Sequence, residues 1–204
     1  QIGSIHCAQT VTLCRDILMA EPENRFQDAL AEVIKIILIG RPDISEELTM
    51  KHTWDLLPSL IESKMKIVRQ DLFDQKNIRA VLNFGHTVGH VLESAHGISH
   101  GQAVALGLRF SCRWSEKLGI LGEKERVKVG KLLEALPEFE SLKLKPLTEE
   151  DFISRLVQDK KSRTSETVNF IFIRSVGDVF VKPAGIAEIV DEARRQGIIV
   201  QGGR

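Results

Sequence analysis

The chain has 204 residues, 43% hydrophobic and 27% charged, which is enough for one well-buried domain and ordinary for a globular protein. Twenty-eight basic residues balance 28 acidic ones, so no global field recruits nucleic acid or another polyanion. Aromatics stop at nine Phe and two Trp, which argues against a base-stacking surface, and no apolar run is long enough to cross a bilayer.

Residues 1–12 are polar and without a clear period, and read as a linker or an early strand. Thr12 to Met19 forms a short first turn, and Pro22 and Asn24 break the pattern. Arg25 to Ile39 then reads as a helix that is apolar nearly all round its second half, the mark of a buried helix; Gly40, Arg41 and Pro42 end it. Glu32 and Lys35 lie three apart on this helix and share a face. A carboxylate there is costly unless paired or metal-bound, and both a Glu32–Lys35 contact and a metal would satisfy it. Short helices are expected over Ser45–Met50 and His52–Ile61, with Pro58 at a start or kink. A third runs from Ile61 to Asp71, and a polar loop follows to Asn77.

Four of the six histidines fall between His86 and His100. Arg79 to Ser94 reads as one helix, with Arg79, Asn83, His86 and His90 as a polar row down one side. His86 and His90 are four apart, which stacks their imidazoles one turn apart on one face. Gly85 and Gly89 each lower helix propensity by about 1 kcal/mol; their use is close approach of another helix or of a ligand. Glu93, three beyond His90, reads as a plain helix-end carboxylate, with orientation of a histidine as the alternative. His96 and His100 then compete as ligands from the following loop and helix.

Gly101 to Leu118 is expected to be a helix stopped by Gly119, and Glu123 to Leu136 another closed by Pro137. Thr148 caps a helix over Leu147–Val157, whose acidic first turn suits a helix start. Asp159-Lys160-Lys161 enters a polar loop. Val168–Ile173 and Val179–Val181 alternate around Gly177-Asp178, a β-hairpin pattern. Ala184 to Gln196 is a closing amphipathic helix, and the tail IIVQGGR is expected to fray. Cys7, Cys14 and Cys112 are odd in number and form no CxxC pair, which suits reduced, buried thiols in a cytosolic protein.

The segment LNFGHTVGHVLE followed by HGQAVALG resembles the signature of the 3-dehydroquinate synthases, in the sugar-phosphate cyclase group. AEVIK (Ala31 to Lys35), KMKIVRQD (Lys64 to Asp71) and the DKK run at Asp159 to Lys161 are further matches, in the family's order. The resemblance covers only the family's C-terminal half. It implies a mainly α fold: a multi-helix C-terminal metal- and substrate-binding domain with a small β-hairpin near its end, occupying residues 1–204. The family's N-terminal NAD-binding domain, with its glycine-rich turns, is missing, so an excised domain or proteolytic product that is inactive alone is expected. Two departures stand out. The Asp71–Asn77 loop is one residue longer than the family's usual spacing. Gln102 stands where the family usually has Glu, which keeps hydrogen bonding but loses charge.

The resemblance assigns Glu32, His86 and His100 as zinc ligands, Co²⁺ being a possible substitute. Three protein ligands with an open position are what a catalytic Zn²⁺ needs, although His90 stays open as a fourth. Lys35, Lys64, Arg79, Asn83 and Lys160 are implied to bind substrate anions and hydroxyls, and His90 to relay a proton near the leaving phosphate. The implied reaction converts 3-deoxy-arabino-heptulosonate 7-phosphate to 3-dehydroquinate and phosphate in the shikimate pathway, recycling NAD⁺. The implied setting is a cytoplasmic enzyme, a homodimer when full length, with no nucleic-acid or membrane partner. Two alternatives remain: another cyclase, such as a 2-deoxy-scyllo-inosose synthase or a sedoheptulose-phosphate cyclase, or a non-catalytic helical metal-binding module.

Overall fold

The computed structural model describes residues 9–41, 43–44, 50–138, 141–158 and 166–200. Among them, in chain order, are α1 (Arg15–Met19), α2 (Glu23–Gly40), α3 (Met50–Gln70), a 3-10 turn (Arg79–Asn83), α4 (His86–His96), α5 (His100–Lys117), α6 (Glu123–Leu133) and α7 (Glu149–Gln158). The hairpin β1 (Thr167–Ser175) and β2 (Asp178–Gly185) and the helix α8 (Ile186–Arg195) complete the order. The expected mainly α fold with a late hairpin is what forms.

Helix α5 is the axis. It starts at a capping box, in which the Ser99 hydroxyl accepts from the Gln102 amide N–H and the Gln102 side chain accepts from Ser99 N–H. That is the structural use of the neutral Gln102. Val104, Ala105, Leu108 and Cys112 of α5 pack into one core with α2 and α6. Leu106, Phe110 and Trp114 pack into a second with α4, α7 and α8. A helix buried on both sides needs apolar residues nearly all round, and α5 has them. Strand β1 divides its side chains the same way: Ile171 and Ile173 join the first core, and Val168, Phe170 and Phe172 the second. Trp114 meets Phe170 and Phe172 edge-on, with ring centroids 4.8 and 5.1 Å apart, the geometry that aromatic quadrupoles favour. The hairpin is antiparallel, pairing Phe172 with Phe180, with an irregularity between Ile173 and Ser175. Gly177, at φ 86°, makes the turn and donates its N–H to Leu38 O of α2.

Several expectations are corrected. The helix read over Arg79–Ser94 is broken: a 3-10 turn ends at Asn83, and α4 begins at His86. Gly85 between them has φ 81°, a left-handed conformation that only glycine adopts cheaply. The break brings the Gly85 turn against α5, where a Cβ on Gly107 would lie 1.7 Å from Gly85 O. Arg79, Asn83, His86 and His90 therefore do not form one helical row. The two helices expected between His52 and Asp71 are one, α3, with Pro58 inside it on the exposed side. The chain after α8 is tied down at its start: Ile198 and Ile199 are buried, and Leu147 and Ile199 form a parallel bridge. Cys112 is a buried free thiol, as expected, but Cys14 is exposed; Cys7 and the expected helix over Ser45–Met50 lie outside the described residues, except Met50. No described helix is long and apolar enough to cross a membrane.

Gly107→Ala is expected to destabilise the protein by about 3 kcal/mol or more, the upper end of what overpacking costs, because the added methyl meets backbone. Denaturant unfolding measures it; a midpoint equal to wild type would contradict the close crossing.

Candidate metal centre

Three helices converge on one point. Glu32 and Lys35 come from the buried second half of α2, His86 is the first residue of α4, and His100 is the first residue of α5. The α2–α5 crossing is held next to these residues. A Cβ on Gly101 would lie 2.3 Å from the Asp28 backbone, and the Ser99 hydroxyl donates to the Asp28 carboxylate. Asp28 sits one turn before Glu32 and Ser99 directly before His100, so the clamp fixes the two candidate ligands relative to each other. The α4–α5 crossing is fixed by Gly85 against Leu108 and by Gly89, whose Cβ would lie 2.8 Å from Ala103 O. Both glycines thus serve the close approach expected of them.

His86 Nε2 lies 3.7 Å from Glu32 Oε1, and His100 Nε2 lies 3.8 Å from the same oxygen. The three donor atoms all fall within 4.8 Å of one another. Ligands on a tetrahedral zinc with bonds of about 2.0–2.1 Å sit roughly 3.4 Å apart, so small side-chain movements suffice. Proton placement favours a cation as well. Phe84 O, 3.2 Å from His86 Nδ1, can only accept, so Nδ1 carries the proton. Glu93 Oε2, 3.2 Å from His100 Nδ1, makes the same demand on that ring. His86, neutral at pH 7 with its proton on Nδ1, then turns an Nε2 lone pair toward the Glu32 carboxylate. The donor set fits a divalent cation.

Electrostatics agree. Burial pushes the His86 pKa down to about 4, with the Lys35 charge adding to it, so the ring is neutral at pH 7, as a metal ligand must be. Lys35 is 3% exposed and donates to Glu32 at 2.8 Å. An unpaired ammonium there would cost several kcal/mol. Even paired, burial holds Lys35 below the usual lysine value. Burial opposes the Glu32 charge, but Lys35, His86 and Lys64 outweigh it and keep its pKa low. The Glu32–Lys35 contact and the metal-ready geometry therefore coexist.

The remaining sequence-predicted residues are placed unevenly. His90 joins the cluster, its ring 5.2 Å from His86 and 6.2 Å from His100 between centroids. It also belongs to a second metal-capable set with Glu93 and His100. Lys64, exposed on α3, is near enough for its charge to act on Glu32 and Lys35. Arg79 is half-buried and donates to Leu72 O at 3.1 Å, while Asn83 is exposed at the end of the 3-10 turn. Lys160 lies outside the described residues. His96 ends α4 beside Arg155 and Asp151 of α7, away from both metal-capable sets.

Three residues take roles that sequence reading missed or undervalued. Glu93 holds His100 across the α4–α5 pair instead of being a plain helix-end charge. Asp28 anchors Ser99; its acidic type one turn before Glu32 was a signal, but its partner is 71 residues away. Asp71, buried, accepts from the backbone N–H groups of Gln75, Lys76, Ile78 and Arg79. Burial opposes its charge, but these donors prevail and hold its carboxyl below the usual range. The Asp71–Asn77 loop closes around that carboxylate, with Asp74 and Asn77 at φ 56° and 61°.

This arrangement of helices and hairpin is shared with about half of each of two solved synthase structures. It superimposes on 2-deoxy-scyllo-inosose synthase complexed with carbaglucose-6-phosphate, NAD⁺ and Co²⁺, with a TM-score of 0.70 and 21% identity over 88% of this chain and 54% of that one. The NAD⁺- and Zn²⁺-bound 2-epi-5-epi-valiolone synthase of Streptomyces hygroscopicus subsp. jinggangensis 5008 gives 0.68 and 19%, over 89% and 53%. Residues 29–162 match the family described as 3-dehydroquinate synthase C-terminal, and the chain belongs to that family. Curated relatives include the 3-dehydroquinate synthases of Methylacidiphilum infernorum (isolate V4), 32% identical over 86% of this chain and 50% of that protein, and of Helicobacter pylori (strain P12), 34% identical over 86% and 52%. The chain spans about half the length of these relatives.

The lowered His86 pKa predicts an acid-sensitive metal-free protein. Between about 4, the folded value, and about 6.5, the ordinary one, the unfolded chain binds the extra proton. Stability therefore falls as pH drops through that window, and this residue has no effect above it. In urea unfolding at pH 7 and pH 4, wild type is expected to lose up to about 3 kcal/mol more than His86→Gln; parallel profiles would contradict a buried neutral ring.

Proposed function

We propose that this chain is the metal- and substrate-binding half of a 3-dehydroquinate synthase, a lyase that converts 3-deoxy-arabino-heptulosonate 7-phosphate to 3-dehydroquinate and phosphate. The observation that carries this is the convergence of the Glu32, His86 and His100 donor atoms in a chain of that family. The curated relatives bear that enzyme's name, whereas the cyclases of other specificity support the fold alone.

In this reading Glu32, His86 and His100 hold one divalent ion, Zn²⁺ or Co²⁺. When bound, it supplies Lewis-acid polarisation of substrate oxygens. NAD⁺ is held by residues outside this chain, in an N-terminal domain that meets this one at the active site. Lys35 fixes the Glu32 carboxylate and adds positive charge, and Lys64 adds more at the rim. The amino ends of α4 and α5 point the same sign of field at the cluster, which favours neutral imidazoles and anionic groups of a substrate. His90, whose ring lies beside both imidazoles, is assigned the exchange of a proton with a substrate oxygen. Arg79, Asn83 and Lys160 are assigned to substrate carboxylate, hydroxyl or phosphate. Free thiols at Cys14 and Cys112 suit a cytoplasmic enzyme.

Two experiments test this. His86→Ala should abolish stoichiometric zinc, measured by atomic emission after dialysis; retained zinc refutes the ligand role. The 204-residue chain alone should form no dehydroquinate, whereas the full-length enzyme should convert 3-deoxy-arabino-heptulosonate 7-phosphate and leave sedoheptulose 7-phosphate untouched. Turnover of sedoheptulose 7-phosphate in its place would assign another cyclase activity.

A further inference from the structure

We propose that Glu93 is the positioning residue of this metal centre: its carboxylate holds the His100 Nδ1–H and so fixes the tautomer and direction of that imidazole. This rests on the reading that His100 is a metal ligand. His86 and His100 present the same nitrogen to Glu32 but are restrained differently. His86 is enclosed, with a side chain 14% exposed, and its Nδ1 is held by a backbone carbonyl of the preceding turn. His100 is 49% exposed and begins its helix, where its ring has room to rotate. Glu93 reaches it from the last turn of α4, seven residues earlier, at 3.2 Å. The ring thus bridges two carboxylates: Glu93 at Nδ1 and Glu32 across from Nε2.

Magnitudes separate this role from a structural one. A half-exposed carboxylate–imidazole contact adds little to folding stability, so a purely structural Glu93 is nearly dispensable. A carboxylate behind a metal-bound histidine typically changes metal affinity by about 10- to 100-fold. It also raises the basicity of the ligating nitrogen. Glu93 is close enough to His90 and His100 to be a direct ligand instead, and the choice of substitution distinguishes the two. Glutamine keeps an oxygen that accepts from Nδ1–H but binds a cation poorly.

The test measures Zn²⁺ affinity of the 204-residue chain by competition with a chromophoric chelator, for wild type, Glu93→Ala, Glu93→Gln and His86→Ala. Glu93→Ala is expected to weaken binding about 10- to 100-fold, and Glu93→Gln to restore affinity close to wild type, with the Co²⁺ visible spectrum unchanged. Equal losses in the alanine and glutamine variants would overturn the positioning role in favour of direct ligation. Wild-type affinity in Glu93→Ala, with loss in His86→Ala, would overturn it while leaving the metal centre intact. Wild-type affinity in His86→Ala would overturn the metal reading and this role with it. Nitrogen NMR of the metal-free wild type needs no variant: Nδ1–H is expected at His100, and an Nε2–H tautomer would overturn the proposal.

Discussion

Backbone-to-backbone contact is the constraint on which this site depends. Histidine and glutamate side chains reach only a few ångströms, so ligands from three helices meet only if the helices themselves nearly touch. Glycine is what permits it. At Gly101 the start of α5 rests on the α2 backbone, and at Gly85 and Gly107 the α4 turn rests on the middle of α5. A methyl group at either Gly101 or Gly107 would overlap backbone atoms, and small side-chain shifts do not relieve that. The Asp28–Ser99 hydrogen bond then fixes the sliding of α5 along α2. Helix α5 is locked further by its two apolar faces, each committed to a different core.

The same crowding sets the electrostatics. Burial removes the proton from His86, and Lys35, with His86 and Lys64, keeps the charge on Glu32 against burial. Carbonyl and carboxylate acceptors occupy the two Nδ1 atoms. What remains is a carboxylate and two imidazole Nε2 atoms facing one another, with one ammonium at the edge. Such a cluster is poorly matched to solvent or to a structural ion pair, and well matched to a dication with an open coordination position. The neutral Gln102 fits this picture through its backbone role, since it caps α5 without adding charge near the site.

Much of this was legible in the sequence, and what was not has physical reasons. The apolar run of α2, the Gly119 stop of α5, the Thr148 cap of α7 and the alternating hairpin are local signals, and each element formed within a few residues of its expected place. Glu32, His86 and His100 were recognisable from motifs, and they converge. The unbroken helix over Arg79–Ser94 was not to be found, because Gly85 reads as a mild propensity penalty until its partner, Gly107 on another helix, is known. Pro58 misled in the opposite sense: α3 tolerates it on an exposed side. Glu93 and Asp28 act on residues brought near only by the fold, and no spacing rule reports such pairs.

The most direct test is anomalous diffraction from crystals of the Zn²⁺-loaded chain, recorded at the zinc edge. The account predicts one strong peak, bound by one Glu32 oxygen and by Nε2 of His86 and of His100, with solvent completing the coordination. A peak bound elsewhere, or closed by four protein ligands including His90, would contradict it.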